Sequence, residues 1–504
     1  MKQNSGNVRR MLAAAAYGLI ILSSVLIIGL SLSQPQYDLP EWQMIVGAVT
    51  CALFLIVCFF LWNRLLQKRR AIMEKFSRIG FVVLLAVFSV LLLLVNYTCP
   101  NALNNQLDYE EMWKMALAVT NGESLVGYEY LNNYSNNFKP MLLLSVIFRI
   151  AAALGINNPY YAVVFVSVLQ VAGTVWAVCY LVEDKSEDSF CRFPILFSFI
   201  LFLPLWANTQ AYYTDTSSFG LIVIALALLK KGLCTIGNKR LGWIVLAGCL
   251  AAVGISVKIT LLIGVIGLLI AVMVTGRMKK YFPDITCFVG TIVAGYLVFE
   301  CWACTYDAYV LSKEVSDPIL SWIAIGLRGK GNYVDNVDFV LNLHALGSKA
   351  EKSAYAGEVI RENISNFFNI SHYIEKIRYT YADGTFGAGV FAFQYDAEPN
   401  LLWNAFSPYG KYFWRTNQIC FSYIFGVYIV LLLGQIHTLK NIISGKIPSA
   451  WVFFADMSLL GMFLFMAIWE ANNRQLYNQI PIVMLGLILH LKLLYGEYAR
   501  KKKG

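Results

Sequence analysis

The sequence predicts an all-α integral membrane protein, a polytopic helical bundle of twelve or thirteen spans with one large segment on its outer face. The chain has 504 residues, of which 58% are hydrophobic and 14% are charged. A soluble domain would leave much of that apolar surface facing water, whereas a bilayer removes the problem. The formal charge of +10 falls in short basic clusters between apolar runs, so membrane topology explains it and nucleic acid is not a predicted partner.

Twelve apolar runs are spanning candidates, since a helix of roughly 17–25 residues crosses a bilayer. In order they are 11–33, 43–63, 79–96, 160–182, 193–208, 217–231, 241–257, 259–275, 282–302, 418–438, 449–469 and 479–496. The first run is long enough to remain as an anchor rather than a cleaved signal peptide. A further run, 140–155, is short and carries Arg149.

The basic clusters predict the orientation, because cytoplasmic loops carry an excess of Lys and Arg. They lie at 2–10, 64–78, 230–240, 277–280, 440–446 and 500–503. Both termini are therefore predicted to be cytoplasmic in a plasma membrane, with outer loops at 97–139, 207–217, the turn near Lys258, 303–417 and 470–478. An odd number of crossings must separate 139 from the cytoplasmic link 183–192, so we expect 140–155 to be re-entrant or interfacial.

Four sections follow from this topology. Residues 1–78 hold the first spans and a basic link, and 79–302 form a transmembrane core with outer loops at 97–139 and 207–217. Residues 303–417 form an extracytoplasmic segment, with helical texture at 349–379 and glycine-marked loops elsewhere. We expect this segment to cap the face where the other polar loops meet, and 418–504 to hold the last spans and a basic tail.

Charged side chains gather at four loop-to-span junctions of the predicted outer face. They are Asp108 with Glu110 and Glu111, then Asp215, then Lys258, then Glu470 with Arg474. A charge at the centre of a membrane helix costs about 2.5–3.5 kcal/mol. Each one alone fits a snorkelling or capping side chain, but together they suit a substrate with a phosphate and a hydroxyl. Lys or Arg would hold the phosphate, and a carboxylate would take the proton of the hydroxyl.

The order of these residues carries a resemblance. An Asp in the first large outer loop is followed by a Pro-led apolar run, Tyr-Thr-Asp-Thr at 213–216, Lys-x-Thr at 258–260 and Glu-x-x-x-Arg at 470–474. This order resembles the GT-C superfamily of polytopic glycosyltransferases, and more narrowly it is similar to the protein mannosyltransferase-like (family 39-like) membrane proteins of Gram-positive bacteria. The stretch Trp322-Ile-x-x-Gly326-Leu, in the segment 303–417, strengthens this resemblance. Lys139-Pro140 stands where that family has a Pro-Pro pair.

The resemblance implies a role for each matching residue. Asp108 would be the catalytic base, and Asp215 would orient the acceptor or a water network. Lys258 would lie near the lipid phosphate, and Glu470 and Arg474 match the acid and base before the last span. From the chemistry of the reaction, Arg474 and Arg328 are further candidates to hold the phosphate, and Glu110, Glu111 and Glu470 are candidates to bind substrate. The implied donor is a polyprenyl-phosphate sugar used on the extracytoplasmic side. The implied product is an inverted linkage to a hydroxyl of a bacterial cell-envelope glycan, lipid or protein.

The residues leave other interpretations open. Clustered carboxylates also suit Mg or Mn, but the outer loops carry no DxD motif, so we predict no cofactor and no obligatory metal. A transporter or flippase of lipid-linked glycans also needs many spans and charges, although internal repeats and broken helices are not evident in the sequence. A non-catalytic assembly partner could retain the fold alone. The sequence sets neither the sugar, nor the acceptor, nor the oligomeric state.

Overall fold

Long apolar helices form the frame of the computed structural model, which describes residues 2–33, 40–67, 70–100, 108–183, 191–389 and 399–501. Parts of the predicted loops 97–139 and 183–192, and of the basic clusters 64–78 and 500–503, lie outside these ranges. The α-helices are α1 Lys2–Ser33, α2 Glu41–Gln67, α3 Arg70–Thr98, α4 Asp108–Asn121, α5 Glu129–Asn133, α6 Phe138–Ala153, α7 Pro159–Val182, α8 Arg192–Leu201, α9 Pro204–Asn208, α10 Thr214–Ser217, α11 Leu221–Cys234, α12 Lys239–Val257, α13 Leu262–Val274, α14 Met278–Ala303, α15 Asp307–Val315, α16 Ile319–Leu327, α17 Val337–His344, α18 Lys349–Glu362, α19 Ile370–Tyr381, α20 Leu401–Phe406, α21 Phe413–Ile443, α22 Ala450–Ile468 and α23 Ile480–Lys501.

Ten of the twelve predicted spans are confirmed as helices long and apolar enough to cross a membrane, counted within the described ranges. They are Asn7–Ser33, Glu41–Leu65, Arg78–Thr98, Pro159–Val182, Thr214–Cys234, Lys239–Val257, Met278–Ala303, Phe413–Ile443, Ala450–Ile468 and Asn473–Ala499. The other two predicted runs form the shorter apolar helices Arg192–Leu201 and Ile259–Val274. The chain is therefore an all-helical, polytopic membrane protein.

Two spans are broken, which the apolar pattern of the sequence does not reveal. The predicted span 193–208 divides into α8 and α9 around Phe202, where Pro204 opens the second helix. Proline fixes φ and lacks an N–H, so a helix tends to restart at it rather than pass through it. The helix that carries Asp215 is separated from α11 by Gly220, which has a φ of 73°. The second break lies five residues after Asp215, a residue that the sequence analysis singles out.

Basic side chains collect at one end of the bundle, called here the basic end. The ammonium of Lys230, late in α11, donates to the carbonyl oxygens of Tyr180 and Leu181 at the end of α7, each at 3.0 Å. Arg240, at the start of α12, pairs with Asp284 at the start of α14. The ends of α7 and α11 and the starts of α12 and α14 therefore share this end. It is the end that the sequence predicts to be cytoplasmic.

The opposite end, called here the polar end, receives both ends of the segment around α6. Lys139, at the start of α6, forms a 2.6 Å ion pair with Glu300 near the end of α14. The hydroxyl of Tyr160, at the start of α7, donates to the carbonyl oxygen of Asn96 near the end of α3, at 2.7 Å. Because α3 and α14 both finish at the polar end, α6 enters and leaves on one side. The segment 140–155 therefore does not cross the bundle, as the parity argument predicts.

The described part of the outer segment 303–417 consists mainly of short helices, α15 to α20. The sequence analysis expected more loop than this, so that expectation is corrected. The predicted helical texture at 349–379 is confirmed by α18 and α19. Apolar residues of α16, α17 and α18, including Ile325, Phe339 and Leu343, form a small core of their own. Helix α19 packs against α1 and α22, so the segment lies directly on the spans at the polar end.

One polar cluster lies inside the bundle, away from the polar end. Tyr17 donates a 2.7 Å hydrogen bond to Asp456, and Gln435 donates one of 3.1 Å. The Nε2 atom of His490 lies 3.0 Å from the same carboxylate, and both Asp456 and His490 are fully buried. Ionisable side chains therefore lie inside the bundle as well as at the four outer-face junctions that the sequence analysis identifies. A carboxyl group at this depth is tolerated because three side chains from other helices are hydrogen-bonded to it.

Candidate active site

Four segments that are distant in sequence bring charged side chains together at the polar end. Asp108 is the first residue of α4, where a carboxylate interacts favourably with the positive end of the helix dipole. Asp215 lies in the one-turn helix α10, and Lys258 follows the last residue of α12 in extended backbone. Glu470 and Arg474 lie between α22 and α23, the latter in a 3₁₀ helix spanning Asn473–Gln479.

Ion pairs link four of these residues in a row. The Lys258 ammonium lies 2.8 Å from one carboxylate oxygen of Asp215, and the Arg474 guanidinium lies 3.3 Å from the other. The same guanidinium lies 3.6 Å from the carboxylate of Asp108. The row Asp108–Arg474–Asp215–Lys258 therefore alternates acid and base, and Asp215 is shared by both bases.

The exposed fraction of each side chain separates their chemical possibilities. Asp215 is completely buried, whereas 35% of the Asp108 side chain is exposed. Lys258 and Arg474 are intermediate, at 17% and 19%. A sealed carboxylate between two bases can fix their positions but cannot reach a substrate. Asp108 is the acid of the row that a substrate can contact directly.

Tyr213 completes the surroundings of Asp108 and Arg474. Its ring lies under the guanidinium, with 4.4 Å between the Arg474 Cζ atom and the ring centroid, a cation–π geometry. Its hydroxyl is hydrogen-bonded to the Asp108 carboxylate, and burial, followed by the charge of Asp108, raises the pKa of Tyr213. The phenol therefore stays protonated and donates to Asp108, which fixes the direction of that carboxylate.

Glu470 lies next to the row without joining it by an ion pair among the described residues. It is 5% exposed, and its oxygens accept only long hydrogen bonds of 3.4 Å from Asn472 and Gln475. Burial raises the pKa of Glu470 to about 7, although the charges of Arg474 and Lys258 oppose that rise. Glu470 therefore changes its charge near neutral pH, within reach of both bases.

The outer segment holds the backbone around Glu470 in place. The ammonium of Lys376, in α19, donates to the carbonyl oxygens of Gly326 at 2.7 Å and Ala467 at 3.0 Å. Burial lowers the pKa of Lys376 to about 7. The N–H of Ala471 donates to the carbonyl oxygen of Gly331 at 2.6 Å. A Cβ atom on Gly326 would lie 2.3 Å from the carbonyl oxygen of residue 468, so the two backbones meet where only glycine fits.

A second part of the outer segment holds Arg474. Asp383 is 5% exposed, and it accepts hydrogen bonds from the N–H of Thr385 at 2.8 Å and from the amide of Asn473. Gly387 has a φ of 75°, and a Cβ atom there would lie 3.1 Å from Cβ of Arg474. The turn 383–387 thus packs against the start of the 3₁₀ helix and fixes the stem of the arginine.

Three residues predicted to bind substrate lie outside this row. Glu110 and Glu111 each form a 3.0 Å ion pair with Lys114 one helical turn away, because positions three and four apart in α4 share a face. Arg328 makes a two-point contact with the exposed Asp338, at 2.9 and 2.6 Å. These three side chains therefore form ion pairs with residues outside the row. The row itself consists of Asp108, Asp215, Lys258 and Arg474.

Sequence reasoning missed the roles of Tyr213, Lys376 and Asp383. Tyr213 is part of the motif that drew attention to Asp215, but a tyrosine at a span end is ordinarily an interfacial anchor. Lys376 lies in a polar helix, where a lysine is normally exposed. Asp383, in Ala-Asp-Gly-Thr, could have been noted as a turn signal beside glycines. Their partners come from other segments, so no local pattern reveals them.

The row is not arranged like a metal site. Among the residues that the structure describes, no group of three or more His, Cys, Asp or Glu side chains is placed to hold a metal ion. Asp108 and Asp215 both face Arg474, and a guanidinium occupies the position between them that a divalent cation would need. These donors therefore fit an anionic ligand bound by the bases better than a cation bound by the acids.

Comparisons with known proteins give two solved structures. ArnT from Cupriavidus metallidurans, bound to undecaprenyl phosphate, is 12% identical, with 82% of this chain and 78% of that chain covered and a TM-score of 0.36. The archaeal oligosaccharyltransferase AglB from Archaeoglobus fulgidus, in complex with an inhibitory peptide and a dolichol-phosphate, is 15% identical, with 85% of this chain and 52% of that chain covered and a TM-score of 0.39. No family model and no curated protein matches the chain.

Proposed function

We propose that this chain is a membrane glycosyltransferase that moves a sugar from a polyprenyl-phosphate-sugar donor to a hydroxyl acceptor on the extracytoplasmic side. The observation that carries the proposal is the row Asp108–Arg474–Asp215–Lys258 at one end of a membrane bundle. It places two bases for a lipid phosphate beside one accessible carboxylate. Undecaprenyl phosphate and dolichol-phosphate, bound in the two solved structures above, belong to this class of carrier.

Lys258 and Arg474 act on the leaving group. When the bond between the sugar C1 atom and the phosphate oxygen breaks, negative charge grows on the phosphate and positive charge grows on the sugar ring. Donors that are already in position stabilise such charge without reorganising during the reaction. The buried carboxylate of Asp215 keeps both bases in position, so its role is to position them rather than to orient the acceptor.

Asp108 acts on the acceptor. The acceptor oxygen forms the new bond to C1 while its proton passes to the Asp108 carboxylate, and the phosphate leaves with the electrons of the broken bond. Attack from the face opposite the leaving phosphate inverts the configuration at C1. Tyr213 and Arg474 both contact Asp108 and hold it in one orientation. The acceptor is proposed to be a hydroxyl of a cell-envelope glycan, lipid or protein.

A transporter or flippase of lipid-linked glycans is the second candidate, and two observations favour it. The spans containing Pro204 and Gly220 are broken, and Asp456 and His490 lie inside the bundle. Transporters commonly have both features. However, Asp456 already receives hydrogen bonds from Tyr17 and Gln435, so the buried cluster is arranged as a fixed link between helices.

The experiment compares wild type with Asp108→Asn in reconstituted vesicles, using radiolabelled sugar on synthetic polyprenyl phosphate. Asn keeps the shape and removes the base, so we expect transfer to fall on the order of 10²–10⁴-fold while donor binding persists. Asp307→Asn is the matched control, because Asp307 is also an exposed acid at the first residue of a helix. Equal transfer by wild type and Asp108→Asn would refute the role of Asp108. Movement of a lipid-linked glycan across the vesicles without transfer would favour the transporter.

A further inference from the structure

A row of aromatic rings runs from the neighbourhood of Asp108 to the span α22. Its members, called here the aromatic row, are Tyr130, Tyr134, Trp322, Trp469 and Phe465. Successive ring centroids lie 5.1, 6.4, 6.4 and 5.1 Å apart. The planes of Trp322 and Trp469 are within 20° of parallel, and those of Phe465 and Trp469 within 26°. All five side chains are half-buried, so the row is an incompletely covered apolar surface.

The aromatic row adjoins the charged row in two places. The charge of Asp108 reaches Tyr130 and Tyr134 and adds to the rise that burial causes in the pKa of each. At the other side, Trp469 directly precedes Glu470 in the chain. Tyr333, which is hydrogen-bonded to Tyr134, is close enough to both Asp108 and Glu470 for their charges to raise its pKa. A ligand held by the two bases would therefore have its next group over these rings.

We propose that the aromatic row is the subsite for the pyranose ring of the donor, an inference that rests on the proposed function and adds the sugar to it. A pyranose has one face of C–H groups and an edge of hydroxyls. The faces of aromatic rings carry negative charge density and attract such C–H groups. The two largest and most nearly parallel faces are those of Trp322 and Trp469. Trp322 lies in the Trp-Ile-x-x-Gly sequence at 322–326.

The polar edges of the two indoles fit the same ligand. Within the described part of the chain, neither the Trp322 nor the Trp469 indole N–H donates to a protein acceptor, and neither is sealed from solvent. An indole N–H normally finds a partner when it is buried. The paired hydroxyls of Tyr134 and Tyr333 add further donors and acceptors at the rim. Hydroxyl groups of a sugar would satisfy these atoms, whereas the isoprenoid units of the lipid would leave them unpaired.

The test measures binding of two probes to the full chain in nanodiscs: a short synthetic polyprenyl phosphate, and the same lipid carrying mannose or glucose. Wild type is expected to bind the sugar-bearing lipid more tightly. Trp322→Ala should reduce that preference on the order of tenfold and leave the affinity for the bare lipid unchanged. Trp322→Phe keeps a ring but removes the indole N–H, so it should lose a smaller part of the preference for the sugar-bearing lipid. This variant replaces Trp322→Ala in the test if the alanine variant does not fold. Trp42→Ala is the control, since Trp42 is a 65% exposed tryptophan at the start of α2.

The outcomes separate the inference from the function on which it rests. An equal loss of affinity for both lipids in Trp322→Ala would mean that the row holds isoprenoid units, and it would overturn the sugar subsite. Unchanged affinities in both Trp322 variants would overturn it as well. If wild type binds neither lipid, the proposed function itself fails, independently of any variant.

Discussion

Replacing Glu470 with Gln should reduce a pH dependence of donor binding that the wild-type site is expected to show. With Glu470 ionised, three carboxylates face two bases, which gives a local charge of −3 + 2 = −1. Once Glu470 is protonated the local charge is −2 + 2 = 0. The phosphodiester of the proposed donor carries about one negative charge, so it binds better to the neutral form of the site.

The magnitude follows from the pKa of Glu470, which burial raises to about 7. Below pH 7 the carboxyl is mainly protonated, and donor affinity should not vary with pH on its account. Above pH 7 it loses its proton, and each further pH unit should raise the donor KM by up to about tenfold, because one linked proton changes a binding constant by at most that factor. Between pH 7 and 8.5 the rise should therefore be on the order of tenfold.

The assay is the donor KM of reconstituted protein between pH 6 and 8.5. Glu470→Gln carries no titrating group at this position, so its KM should be low and should rise less with pH than that of wild type, the remaining rise coming from Lys376, whose pKa is also about 7. Glu375→Gln is the control and should keep the wild-type profile, because Glu375 is 45% exposed and pairs with Arg378 on the surface of the outer segment. A wild-type KM that is flat across pH 7, or a Glu470→Gln variant that keeps the whole rise, would refute the reasoning.

Three further substitutions test the supports of the site and the buried cluster around Asp456. Gly326→Ala should abolish transfer, because its Cβ would lie 2.3 Å from a backbone oxygen, whereas Gly357→Ala, with no atom within 4 Å, should leave transfer and expression unchanged. Lys376→Met removes a donor from two carbonyl oxygens and should destabilise the protein by about 1–3 kcal/mol in thermal-inactivation assays, while the exposed Lys330→Met should not. Asp456→Asn should speed thermal inactivation without changing the donor KM, and a changed KM would contradict its structural role.

The frame of the molecule was predictable from hydropathy because apolar length is a local property. Ten long spans coincide with runs read from the sequence, and counting crossings favoured a re-entrant or interfacial 140–155 over a thirteenth span. The breaks at Pro204 and Gly220 were not predicted, since the flanking residues remain apolar and hydropathy does not record backbone dihedral angles. The helical nature of the outer segment was underestimated because glycines such as Gly329 and Gly331 separate short helices rather than long loops.

The candidate site was only partly predictable, and the division has a physical reason. Asp108, Asp215, Lys258 and Arg474 stand out because a charge beside a long apolar run is costly unless it has a partner. Glu110 and Glu111 stand out equally in the sequence, but their partner, Lys114, is one helical turn away and satisfies both on the surface. The sequence shows which charges need partners, and the tertiary structure decides whether those partners are local or distant.

The supporting residues show that the outer segment is part of the site rather than a cover over it. Residues 470–472 lie between the end of α22 and the 3₁₀ helix that begins at Asn473, so helical hydrogen bonds do not fix their path. Lys376 and the carbonyl oxygen of Gly331 hold the backbone on either side of Glu470, and Asp383 holds the amide of Asn473. Arg474 reaches both Asp108 and Asp215 only from that position. Loss of these contacts should therefore weaken the arginine contacts to both acids together, even though none of the supporting residues touches the proposed substrate.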